Sequence, residues 1–121
     1  MALVMTLQST AAVPVNNSAE SVSVGPITIT GTLAVPTYQS VNLASGLNTI
    51  TLPTGTVSGC LVSPPTSNTQ TLTLKGVTGD TGVKMPQASP FLILFDTANN
   101  PATFAITAGG ATTGFTNFLF F

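Results

Sequence analysis

Five side chains in this 121-residue chain carry charge: Glu20, Lys75, Asp80, Lys84 and Asp96. Three of them fall in the stretch from Leu72 to Met85, Leu-Thr-Leu-Lys-Gly-Val-Thr-Gly-Asp-Thr-Gly-Val-Lys-Met, where Gly76, Gly79 and Gly82 recur at every third position. If the chain performs chemistry, its groups are densest here. The parts for most reactions are missing. With no His anywhere, Ser-His-Asp and Cys-His arrangements cannot be built. The three carboxylates are too few and too scattered for an acid–base pair or a calcium cage. Gly76 to Gly82 is not followed by a Lys-Ser or Lys-Thr pair opening a helix, so it is not a phosphate loop. Two lysines and no arginine cannot neutralise a phosphate track, which argues against a nucleic-acid partner.

Asp80-Thr81-Gly82 is similar to the loop of aspartic proteases, in which two such carboxylates share one proton across a dimer axis. The match stops at three residues. Val77-Thr78-Gly79 precedes it in place of a hydrophobic strand, the triplet lies two-thirds of the way along, and no Gly-Arg pair follows. A turn residue that accepts backbone N–H bonds, or pairs with Lys75 or Lys84, is the better reading; an exposed pair of this kind contributes about 0–1 kcal/mol. No catalytic residue, cofactor or metal ligand is therefore expected. Lys75, Asp80 and Lys84 are expected to fix a loop or, across an interface, a subunit register. Cys60 lies within the apolar run Val57 to Val62 and reads as a buried, inert thiol.

The elements around these residues read as short strands. Leu72 and Leu74 alternate with Thr73 and Lys75, Leu47, Thr49 and Thr51 with Asn48, Ile50 and Leu52, and Phe104 and Ile106 with Ala105 and Thr107. Val83 and Met85 are expected to face inward with Lys84 outward. Pro36 demotes its strand to an edge or a bulge, and Pro64-Pro65 ends the run from Val57. Phe91-Leu92-Ile93-Leu94-Phe95 reads as a central strand. Nowhere do apolar residues recur at helical spacing for three turns. Turn signals every 8–12 residues predict an all-β fold: a single β-sandwich or jelly-roll-like domain of about eight short antiparallel strands. Residues 1–20 are expected to form an apolar strand or arm, with Leu3, Met5 and Leu7 at spacing two, and residues 21–121 the sandwich. Asn16-Asn17-Ser18 matches a glycosylation triplet, but the start lacks the basic region and cleavage site of a secretory signal. Synthesis in a cytoplasm without that export route is the expectation. No apolar stretch reaches the 18 residues of a membrane helix, so no membrane partner is expected.

Only 4% of the residues are charged, and the net charge is -1, against about a quarter charged in ordinary soluble domains. Polarity comes instead from hydroxyls, including 22 threonines, a residue suited to pleated, half-buried surfaces. So weak a charge favours association, and covered surface in a homo-oligomer is the expected state. The terminal Phe118-Leu119-Phe120-Phe121 is apolar on both strand faces and needs cover on both. Phe118, Phe120 and Phe121 therefore join Leu3, Met5 and Leu7, with the charged trio, as expected interface residues.

From Val41 to Phe115 the chain contains Asn-Leu-Ala-Ser-Gly-Leu-Asn-Thr-Ile-Thr-Leu-Pro, Pro-Pro-Thr-Ser-Asn-Thr, Thr-Leu-Lys-Gly-Val-Thr-Gly-Asp-Thr-Gly-Val, a Phe-Leu-Ile-Leu strand and Ile-Thr-Ala-Gly-Gly. This span resembles small β-structured virion proteins of tailed bacteriophages. The resemblance implies a non-enzymatic virion component, made in the host cytoplasm, whose partners are other copies of itself and capsid or tail proteins. A capsid decoration, cement or minor capsid subunit is the expectation. A tail or baseplate component, or a carbohydrate- or receptor-binding β-module, is the alternative; one Tyr and no Trp count against the last.

Overall fold

Alternation of Thr or Ser with Leu, Ile, Val or Phe gives each strand one apolar face, and two such sheets bury those faces against each other. The computed structural model describes residues 3–15, 18–76 and 79–121; the side chains of Met5 and of residues 7–27 are not part of that description. The described residues form ten strands: β1 (Val4–Val15), β2 (Ser18–Thr30), β3 (Thr37–Val41), β4 (Gly46–Thr51), β5 (Gly59–Ser63), β6 (Leu72–Lys75), β7 (Val83–Met85), β8 (Phe91–Leu94), β9 (Thr103–Ala108) and β10 (Thr116–Phe120). Eight of them build two four-stranded antiparallel sheets, one in the order β3-β10-β5-β8 and the other β4-β9-β6-β7. The all-β, sandwich-like fold expected from the turn spacing is the one observed. Among the described residues no helix is long and apolar enough to cross a membrane.

The core lies between the sheets. Phe118, Phe120, Val62 and Cys60 from the first sheet meet Ile50, Phe104, Ile106 and Leu72 from the second, all buried, with Leu43 and Val57 closing the ends from the loops. Phe118 and Phe120 stack with ring centroids 6.4 Å apart and planes 15° apart. Phe104 tilts against both, at 6.2 and 6.5 Å. Such pairs add about 0.5–1.5 kcal/mol beyond the area they bury. β3 starts directly after Pro36 and is an edge strand, the position a proline permits.

The third sheet is a long two-stranded ribbon. β1 and β2 pair only with each other, from Val4 opposite Thr30 to Val15 opposite Ser18, with one bulge between Leu7 and Ser9. The segment set apart from the sandwich thus runs to Thr30 rather than to residue 20: the strand expected from Ser21 to Thr30 as part of the sandwich is the return strand of this ribbon. Its alternation is that of any half-buried strand, and alternation does not name a partner.

Two further expectations give way to the topology. β8 is an edge strand, paired to β5 alone; Phe91 and Ile93 fill the core face and Leu92 and Leu94 the other, so a run apolar on both faces need not be flanked on both sides. Val83 is 65% exposed, because β7 ends the second sheet, where the opposing sheet no longer covers it.

Candidate interaction surface

The charged trio sits on the second sheet and the loop after it. The Lys75 ammonium donates to the Asp80 carbonyl oxygen at 2.7 Å. The Gly76 N–H donates to Asp80 Oδ2 at 2.9 Å. These bonds close the loop between β6 and β7, with Gly79 (φ 97°) and Gly82 (φ 68°) in the left-handed region. A Cβ on Gly82 would lie 2.5 Å from the Leu74 carbonyl oxygen, so no other residue fits there without moving backbone. Lys84 is exposed and pairs in register with Thr73, on the outward face that Lys75 shares. Asp80 therefore bonds its own loop as a turn residue does. Val77 and Thr78 lie outside the described residues, as do Asn16 and Asn17 of the glycosylation triplet. Among the described residues no three His, Cys, Asp or Glu side chains are grouped to hold a metal ion.

The terminal aromatics correct an expectation. Phe118, Phe120 and Phe121 are all 0% exposed, so none has surface left to offer a neighbouring subunit. Phe118 and Phe120 are core. Phe121 is buried differently. It continues the β10–β5 ladder, exchanging backbone hydrogen bonds with Gly59 at 3.1 and 3.2 Å, which puts it on the outward face of the first sheet. A Cβ on Gly59 would come within 2.8 Å of the tip of the Phe121 ring; the ring occupies the space that a side chain at Gly59 would need. The root of the ribbon approaches from the other side. Gly31 donates its N–H to the Leu3 carbonyl oxygen at 2.7 Å, and a Cβ on Gly31 would sit 3.1 Å from both Phe121 Cβ and its backbone carbon.

Of the expected arm residues, Leu3 is half-buried at this root, while Met5 and Leu7 pair in register with Ile29 and Ile27. Their side chains lie outside the described set.

Beyond Phe121 the outward face of the first sheet carries an apolar row, followed by a polar one of Ser40, Asn117 and Ser63. Leu119 lies opposite both Tyr38 and Leu61, and Leu61 lies opposite Leu92. Partners directly opposite share a face, so these four form a row that crosses every strand of the sheet. Leu94, opposite Gly59, extends it. Tyr38 is 62% and Leu94 55% exposed, and the three leucines between are partly exposed. No charged residue stands in the row. Tyr38, Leu119, Leu61 and Leu92 each belong to a different strand, and only the sheet order brings them into line, so no local pattern marks them.

The outward face of the second sheet differs. A half-open depression of about 380 Å³ is lined there by Leu47, Thr49, Lys75, Gly76, Thr103, Phe104 and Ala105. It offers hydroxyls and one ammonium group around a small apolar patch.

Comparison with protein-family models, with curated proteins and with solved structures finds no match to this chain.

Proposed function

We propose that this chain is a non-enzymatic structural subunit that works by packing against copies of itself and other proteins of a virion, as a capsid decoration, cement or minor capsid protein. The observation that carries the reading is the uncharged row of Tyr38, Leu119, Leu61 and Leu92 across one whole sheet, partly open to solvent. An apolar surface of this continuity marks a contact site. Covering it desolvates no ion, which avoids the several kcal/mol that burying a charge costs. The phage setting rests on the resemblance of residues 41–115 to small virion proteins, and the same surface would serve a tail or baseplate subunit.

Light scattering on the purified chain tests the reading. An oligomer, or saturable binding to intact phage particles in fixed stoichiometry, is expected. A monomer with no affinity for particles overturns it. Imaging of labelled particles separates head from tail. The depression beside Thr49, Lys75 and Thr103 supports a second reading, a glycan- or receptor-binding module. Retention of a glycan on an array, lost in Lys75→Ala, would favour it.

A further inference from the structure

We infer that the free edge of β8 pairs antiparallel with β8 of a second copy, about a two-fold axis, so that the four-stranded sheets of the two copies join into one. This names a contact for the assembly reading proposed above and rests on it. Backbone hydrogen bonds fix which groups the edge offers. The Phe95 N–H donates to the Ser58 carbonyl oxygen at 3.0 Å, while Gly59 exchanges its bonds with Phe121 on the other side of β5. Bond direction alternates along an antiparallel strand, so Phe91, Ile93 and Phe95 turn their N–H and C=O toward β5. Leu92 and Leu94 turn theirs outward, where β8 has no neighbouring strand among the described residues. An open apolar edge of this kind is a template for another strand.

The other three edges of the sandwich are guarded. β7 is three residues long and carries Lys84. On β4, Asn48 donates to the Ala44 and Gly46 carbonyl oxygens at one end, and Gln39 donates to the Thr51 carbonyl oxygen at the other. The same Gln39 bond ties β3 to β4, and Ser40 of β3 donates its hydroxyl to Asn117. β8 reads Phe-Leu-Ile-Leu, with neither a charge nor a proline inside it.

A second copy is selected as the occupant because the register this edge permits is self-complementary. Pro90, just before β8, has no N–H to give. Asp96, just after it, has its carbonyl oxygen engaged by the Asn99 N–H and the Asn100 side chain. A shift in either direction therefore loses bonds. Setting Leu92 of each copy opposite Leu94 of the other satisfies both residues and closes about four main-chain hydrogen bonds. Ile93 then meets its own counterpart on the axis, and Phe91 meets Phe95. Ile93 and Phe95 pack against the core and are only partly buried within one copy. Every position across the join thus sets apolar against apolar, and the outward Leu92 and Leu94 of both copies form one cluster beside Leu61. The two Asp96 carboxylates fall at opposite ends of the pair, about 20 Å apart, beyond a screening length of about 10 Å. So short a join is smaller than the standard interface of roughly 800 Å² per partner, and its occupancy is expected to rise with protein concentration.

The test uses the full-length chain. Light scattering over a concentration series should show the 12.2 kDa chain giving way to larger species. Leu94→Pro removes an outward N–H and no bond to β5, a substitution that an edge strand tolerates; Leu94→Ala keeps the N–H. With both variants folded by circular dichroism, the proline is expected to abolish the rise in mass and the alanine to retain most of it. In parallel, Leu92→Cys copies are mixed with Leu94→Cys copies and oxidised; Cys60 is buried and does not compete. A covalent species of twice the chain mass is expected in the mixture and in neither variant alone, because like positions lie farther apart than the about 7 Å that a disulfide spans. Absence of that species, with an oligomer that survives Leu94→Pro, overturns the edge pairing and leaves assembly standing. Particle binding lost in Leu94→Pro without the mixed cross-link gives the edge to a strand of another protein and overturns the second copy. An unmodified protein that is monomeric at every concentration overturns this contact, and one that also ignores particles overturns the assembly reading with it.

Discussion

Thr116 and Cys60 are both fully buried on β10 and β5, and each holds a polar atom where an apolar one would fit. The Thr116 hydroxyl has no hydrogen-bond partner among the described residues. A buried hydroxyl left unmade costs about 1–3 kcal/mol, whereas its methyl group packs as valine would. Thr116→Val is therefore expected to raise unfolding stability by about 1 kcal/mol, read from the urea midpoint at unchanged slope. Cys60 shows the same environment through its titration. Desolvation pushes its thiol from about 9 up to about 12, against a smaller lowering by a backbone hydrogen bond at Leu119. The folded state thus favours the protonated thiol. This contribution is fully present below about pH 9, where folded and unfolded chains both hold the proton. Above that the unfolded chain loses its proton first, so stability falls with rising pH until the folded thiol also titrates near 12. The slope approaches about 1.4 kcal/mol per pH unit. Denaturation curves between pH 8 and 10.5 should show this fall in the unmodified protein and lack it in Cys60→Ala.

Elements in this fold are tied by asparagines where strands and loops leave backbone groups over. Val57 precedes β5 and is fully buried. Asn100 accepts its N–H at 2.5 Å and donates to its carbonyl at 2.9 Å, while a second bond from Asn100 to the Asp96 carbonyl holds the turn after β8. Asp96 stiffens that turn further, accepting from the Asn99 side chain and the Ala98 N–H, and these bonds lower its carboxyl below the usual range. Asn100→Ala would strand two backbone groups of a buried residue and is expected to destabilise by about 2–3 kcal/mol. Asn100→Asp keeps the acceptor and loses the donor, and should fall between; thermal unfolding of the three proteins would show the order. No sequence pattern announced this tie, since Val57 and Asn100 are 43 positions apart. The strands themselves were legible because period-two alternation is local: that Leu47, Thr49 and Thr51 oppose Asn48, Ile50 and Leu52, and that Leu72 and Leu74 oppose Thr73 and Lys75, follows from sequence alone. Lateral order was not. Phe91 to Phe95 reads as central and stands at an edge. The terminal phenylalanines need cover on both faces, as their pattern implied, but they find it within the chain. The Lys75–Asp80 loop was legible from its glycines, whereas the row from Tyr38 to Leu92 exists only once four distant strands are set side by side.

At the scale of the whole molecule, the deciding property is the near absence of charge. With five charged side chains in 121 residues, the contacts of the assembly proposed above would have to come from apolar burial and uncharged hydrogen bonds. Such contacts respond to salt in a characteristic way. Raising NaCl from about 10 mM to about 1 M shortens the screening length from roughly 30 Å to roughly 3 Å, which would dissolve an assembly held by Lys75, Asp80 and Lys84. The same change barely alters apolar burial, and an excluded salt such as sulfate strengthens it. The oligomer mass measured by light scattering is accordingly expected to stay constant across this NaCl range and to hold to lower protein concentration in sulfate. A mass that falls with NaCl would transfer the proposed assembly contact from the apolar row to the charged loop. It would return to Lys75, Asp80 and Lys84 the intersubunit role expected of them from the sequence.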